Sequence, residues 1–150
     1  MGTPRRGRRR VFISHASIDA WVARQIARGI GRSGAQPFLD ETEIQAGLDF
    51  ETQILAFLKK ADELVALLTP WSLERPYLWA ELGAAWIGGI PIIALLHGVS
   101  ASDLQSRPGV PVFLRARNWR PLNDVDLYLA ELRGRQKAMK ERRTDDETEI

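Results

Sequence analysis

No cysteine occurs in the 150 residues of the chain. A disulfide framework and a thiolate metal site are therefore excluded. Histidine is scarce as well: the two copies, His15 and His97, cannot form a zinc centre without several carboxylates. Long apolar runs are also missing. Leu82 to Leu96 is uncharged, but Gly88-Gly89 and Pro91 interrupt it, and it falls short of the roughly 20 residues that a bilayer span requires. The basic start is followed only by Val11-Phe12-Ile13, too short for the apolar region of a signal peptide. These absences lead us to expect a cytoplasmic protein of a reducing compartment, with no membrane segment and no metal.

What is present is the composition of one folded unit. An apolar share of 45% and a charged share of 27% are those of a globular domain able to bury one core. The pI near 9.3 suggests an anionic partner, but the charge is unevenly placed. Residues 1–10 carry five Arg and no acid, whereas residues 11–133 are net acidic and residues 134–150 are balanced. The basicity thus belongs to a terminal arm. Such an arm is usually solvated, and it offers at most weak, unspecific contact with nucleic acid.

The pattern alternates strands and helices. Arg10 to Ser14 reads as an apolar strand leading into a polar Ser-His-Ala-Ser loop. Asp19 is placed to cap a helix whose apolar positions Trp21, Val22, Ile26 and Ile30 recur at helical spacing until Gly31 and Gly34. Gln36 to Asp40 reads as a second strand, followed by a loop through Leu48 and a helix marked by Phe50, Ile54, Phe57 and Leu58. Glu63 to Thr69 has the continuous apolar character of a strand buried on both faces. A helix then starts around Arg75-Pro76, with proline at a tolerated first-turn position. Ile90 to Leu96 is a fourth strand and Val110 to Leu114 a fifth. Asn123 or Asp124 is placed to cap a last helix through Leu132. We therefore expect an α/β fold, a flavodoxin-like three-layer sandwich around a five-stranded parallel sheet. The arm 1–9 and the charge-mixed tail 134–150 are expected to be frayed or disordered, leaving 10–133 as the domain. A site in such a fold lies outside the carboxyl ends of the strands, where Ser14, His15, Asp40, Thr69 and His97 fall.

One residue stands out. Glu81 is the only charged side chain between Arg75 and His97, set among Tyr77, Leu78, Trp79, Ala80, Leu82, Gly83, Ala84, Ala85 and Trp86. A carboxylate in such surroundings loses hydration and needs a partner, a proton or a ligand in compensation. It is the best candidate for a reactive group, although a capped or ion-paired carboxylate at the core edge would look the same.

Known chemistries of this fold class fit poorly. A phosphoacceptor receiver needs an acidic pair after the first strand and an Asp ending the third, where this chain has Ser14-His15 and Thr69-Pro70. A dinucleotide fold of Rossmann type needs a glycine-rich first turn, and Ser14-His15-Ala16-Ser17 has no glycine. Three separated motifs fit better: Val11-Phe12-Ile13-Ser14-His15-Ala16-Ser17 with Asp19; Phe38-Leu39-Asp40-Glu41 through Glu43 and Gly47; and Trp71-Ser72-Leu73 followed by Glu81-Leu82-Gly83-Ala84-Ala85. In this order and spacing they resemble the Toll/interleukin-1 receptor (TIR) domains of bacterial type, over residues 10 to about 133.

The resemblance implies one of two functions. Some members of that family are adaptors or mimics that act through TIR–TIR contacts. Others cleave NAD+ at the nicotinamide–ribose bond, with a Glu on the third helix that corresponds to Glu81. Products are nicotinamide and ADP-ribose, or a cyclic or otherwise modified ADP-ribose. The family usually carries Trp four residues before this Glu; here Tyr77 keeps an aromatic face, and Trp79 lies two before. Ser14, His15, Asp40 and Tyr77 are the candidate substrate contacts. Glu43 and Gly47 belong to the loop through which copies assemble, with Gly47 permitting a backbone turn. Trp21, Trp79, Trp86 and Trp119 read as packing or interface residues. NAD+ would be substrate, with no other cofactor. Antiphage defence is the implied setting, with homotypic assembly and a separate sensor or effector protein as expected partners.

Overall fold

A computed structural model describes residues 7–39, 56, 58–110 and 119–148. Five parallel strands form the sheet: β1 (Arg10–Ser14), β2 (Gln36–Leu39), β3 (Glu63–Leu68), β4 (Ile92–Leu96) and β5 (Trp119–Pro121), in the order β2-β1-β3-β4-β5. Among the described residues four helices accompany them: α1 (Ala20–Arg32), α2 (Pro76–Ile87), α3 (Ala101–Ser106) and α4 (Val125–Thr148). Residues 56 and 58–60 are helical too, ahead of β3. Central β3 is buried at all six positions, as a strand covered on both faces must be.

The period of two along the strands divides the core into two layers. Val11, Ile13, Val65, Leu67 and Leu95 point to one face and pack on Ala23, Ile26 and Ile30 of α1 and on Tyr128 and Leu132 of α4. Phe12, Leu64, Ala66, Leu68, Ala94 and Leu96 point to the other, against Leu78, Leu82 and Ala85 of α2 and Leu104 of α3. The result is the expected three-layer α/β sandwich.

Local differences from the sequence expectation have physical causes. The fifth strand is Trp119–Pro121; of the expected segment Val110 to Leu114, only Val110 lies within the described residues, where it is buried without strand structure. A short strand at the sheet edge tolerates proline because its outer N–H faces no partner. Asp19 does not cap α1 with its side chain. Its carboxylate instead accepts a hydrogen bond from Thr69 Oγ1 at 2.6 Å. The last helix does not end at Leu132 but continues through Thr148, so residues 134–148, expected to fray, are helical. Lys, Gln, Ala, Met, Glu and Arg are good helix formers, and one Gly at position 134 costs only about 1 kcal/mol. Gln136 is buried; it accepts from the Arg9 backbone N–H at 2.8 Å and donates to the Gly7 carbonyl. The inner end of the arm is thereby fixed to α4, whereas residues 1–6 lie outside the described residues.

Candidate active site

Three segments converge at the carboxyl edge of the sheet. Ser14 ends β1 and, two residues after Phe12, shares its face and so points toward α2. Leu78, Leu82 and Ala85 anchor α2 on that face at helical spacing, which carries Glu81 inward along with them. The Ser14 hydroxyl donates to Glu81 Oε2. Both residues are 0% exposed. A carboxylate removed from water retains its charge cheaply only when donors replace the lost hydration, and Ser14 is one such donor.

The loops on either side are stapled together. Asp19, Thr69 and Ser72 are all buried, and Thr69 Oγ1 donates to Asp19 while accepting from the Ser72 backbone N–H at 3.0 Å. Ser72 Oγ accepts from the Thr69 N–H at 2.9 Å. The Arg75 guanidinium donates to the His15 carbonyl, and Trp79 Nε1 to the Leu73 carbonyl at 3.2 Å. The loop after β1, the loop after β3 and the first turns of α2 thus form one connected frame around Ser14 and Glu81.

The other candidates from the sequence fall as follows. His15 is buried, its Nδ1 lying 3.5 Å from the Ile13 carbonyl oxygen. Tyr77 lies one helical turn before Glu81 on α2 and is 46% exposed. Asp40, Glu43 and Gly47 lie outside the described residues. His97 follows β4 and is exposed. Among the tryptophans, Trp79 and Trp119 pack against the core, whereas Trp21, Trp71 and Trp86 are exposed. Sequence reasoning missed Asp19, Thr69, Ser72 and Arg75 as a frame. The available signal was two hydroxyl residues three apart at a strand end, a turn-forming pattern, but their partner in space is fifty residues away in the chain.

Glu81 is enclosed, with none of its surface exposed. Among the described residues, no cluster of His, Asp and Glu is placed to hold a metal ion, and no helix is long and apolar enough to cross a membrane.

A family profile for the TIR domain matches residues 11–137. The chain belongs to the TIR-domain family. Solved structures share the fold of this TIR domain at low sequence identity. The TIR domain of a Toll-related receptor from Hydra magnipapillata superposes with a TM-score of 0.59 at 21% identity, covering 79% of this chain and 87% of that one. A metazoan TIR-STING receptor from C. gigas gives 0.65 at 17%, covering 87% of this chain and 42% of that one. The TIR domains of the activated Roq1 resistosome, which directly recognises the effector XopQ, give 0.57 at 16%, covering 89% and 82%. No curated protein matches the sequence.

Proposed function

We propose that this TIR domain cleaves NAD+ at the nicotinamide–ribose bond and that Glu81 is the catalytic carboxylate. The observation that carries the reading is the fully buried Glu81, aimed from α2 at the end of β1 and bound by the Ser14 hydroxyl. Membership of a family that includes NAD+-cleaving enzymes supports it.

The chemistry asks for little else. Nicotinamide is cationic while bonded to ribose and leaves as a neutral pyridine, so no general acid is needed. Positive charge then develops on the ribose as an oxocarbenium ion, which a nearby carboxylate stabilises. In a site of low dielectric that stabilisation exceeds its value in water. Glu81 would exchange the Ser14 hydroxyl for ribose hydroxyls, which requires the enclosing segments to open. Tyr77, exposed one turn away, is the aromatic candidate to receive the substrate, with Ser14, His15 and Asp40 as further contacts. Homotypic assembly through the loop bearing Glu43 and Gly47 is the proposed route to the open state. The setting we propose is cytoplasmic antiphage defence, with a separate sensor or effector protein as partner.

Chromatography and mass spectrometry of the products formed from NAD+ by the assembled protein test this reading. ADP-ribose indicates hydrolysis, and a product lighter than ADP-ribose by one water indicates cyclisation. Intact NAD+ after incubation with protein shown to be assembled would overturn it. The second reading, a non-catalytic adaptor, is favoured by the closed surroundings of Glu81 and by exposed Ile18, Trp21, Trp71, Trp86 and Ile87. It requires partner binding to survive substitution of Glu81.

A further inference from the structure

A concave site lies at the opposite edge of the sheet and on its other face. It opens under α4, beside the amino ends of β3 and β4, with a volume of about 330 Å³. That is the lower end of the size range of small-molecule pockets. Its floor is apolar, from Pro91, Ile92 and Ile93, and its walls carry charge.

The wall is built around Glu63, which is 1% exposed. Its carboxylate accepts from Arg9 Nε at 3.0 Å, from Arg135 Nη2 at 3.0 Å and from the Tyr128 hydroxyl at 2.7 Å. Burial, and next the adjacent Glu63 charge, push the Tyr128 phenol well above its ordinary range, so it stays a donor. Two guanidinium groups thus share one carboxylate. On the facing side Arg120 Nη2 donates to Glu131 at 2.6 Å. That hydrogen bond is the leading cause holding the Glu131 carboxyl below its usual range. Arg120 Nη1 is buried and has no hydrogen-bond partner among the described residues. Three Arg against two Glu leave the lining one positive charge in excess.

We infer that this cavity binds a small organic anion, a carboxylate or a phosphate monoester on an apolar body, with Arg120 as its principal anchor. The excess charge and the unused Arg120 donor set the headgroup, because a buried N–H without an acceptor is costly and an anionic oxygen relieves it. The floor of Pro91, Ile92 and Ile93 sets the body. Arg9 and Arg135, already fixed by Glu63, supply a preorganised positive field. The site shares no described residue with the Glu81 frame, so it stands or falls independently of the NAD+ reading.

The test is titration of the full chain with phenyl phosphate, benzoate and inorganic phosphate, beside neutral benzyl alcohol, followed by amide and Arg Nε NMR shifts. We expect saturable shifts centred on Ile92, Ile93, Arg120 and Arg135. Tighter binding of phenyl phosphate assigns a phosphate monoester, and tighter binding of benzoate a carboxylate. Arg120→Gln should weaken binding by about tenfold or more, as loss of one charge-assisted hydrogen bond implies. Arg143→Gln, on the exposed end of α4, should leave it unchanged. Glu131→Gln should tighten it by freeing Arg120, which keeps the inference testable if Arg120→Gln does not fold. Unsaturable shifts, equal binding of the neutral alcohol, or affinity unaltered in both Arg120→Gln and Glu131→Gln would overturn the assignment.

Discussion

Glu81 and Ser14 form a pair whose energetics follow from their burial. An ionised carboxylate inside a core is sustained by the donors it meets, so removing one is costly even though the residue lost is small. Ser14→Ala should lower stability by about 1–3 kcal/mol, the cost of an unmet buried acceptor. A urea unfolding midpoint equal to wild type would show that the Ser14–Glu81 bond is not holding the carboxylate. At this scale the sequence was most informative where a residue broke its surroundings: a lone charged side chain in an apolar helix is visible without any structure. Asp19 was less legible. Its position before α1 suggested a local cap, but a tertiary partner, Thr69, takes the carboxylate. Glu63 read as the start of an apolar run, because its four donors come from Arg9, Tyr128 and Arg135, far apart in the chain.

Elements position these residues through a few specific contacts. Thr69 links the loop after β1 to the entry of α2, since its hydroxyl both donates to Asp19 and accepts from the Ser72 N–H. Thr69→Val keeps the shape and removes both bonds. We expect about 1–3 kcal/mol lower stability, together with a raised KM for whatever the Glu81 site binds, because the frame around it loosens. Unchanged unfolding by denaturant would contradict the role given to this hydroxyl. The helices of the other layer meet at Gly29, where an added Cβ would lie 2.7 Å from Leu129 Cδ1. Gly29→Val should therefore overpack the α1–α4 contact and cost about 1–3 kcal/mol, read as a lower Tm; a Tm at or above wild type would mean that Leu129 moves aside freely. Strand positions were largely legible from the continuous apolar runs of β1, β3 and β4. β5 was not, because Trp119-Arg120-Pro121 is short, carries a charge at its centre and ends in proline. An edge strand with one partner can be built from residues that no interior strand would accept.

Over the whole molecule the segment leading into β1 and the helix α4 close on each other across one edge of the sheet. Arg9 and Arg135 share Glu63, while Gln136 holds the backbone of Gly7 and Arg9. A chain cut after Arg133 loses Arg135 and Gln136 together. We expect it to be about 2–4 kcal/mol less stable, the cost of breaking a buried pair reduced because Arg135 is partly exposed. An unaltered urea midpoint would show the end of α4 to be dispensable. The three-layer architecture was readable from alternation alone, since a parallel sheet must bury both faces. This closure was not, because charge balance in residues 134–150 gives no hint of which Arg is buried against which acid. The central proposal remains chemical: the Glu81 carboxylate stabilises the positive ribose as the nicotinamide–ribose bond breaks. The most direct measurement is the rate of nicotinamide release from NAD+ by assembled protein, compared between wild type and Glu81→Gln of matched stability and assembly. Glu81→Gln keeps the size of the side chain and removes its charge, so release should fall by about two to three orders of magnitude, as loss of one preorganised electrostatic group implies. Release at the wild-type rate in Glu81→Gln would contradict the account.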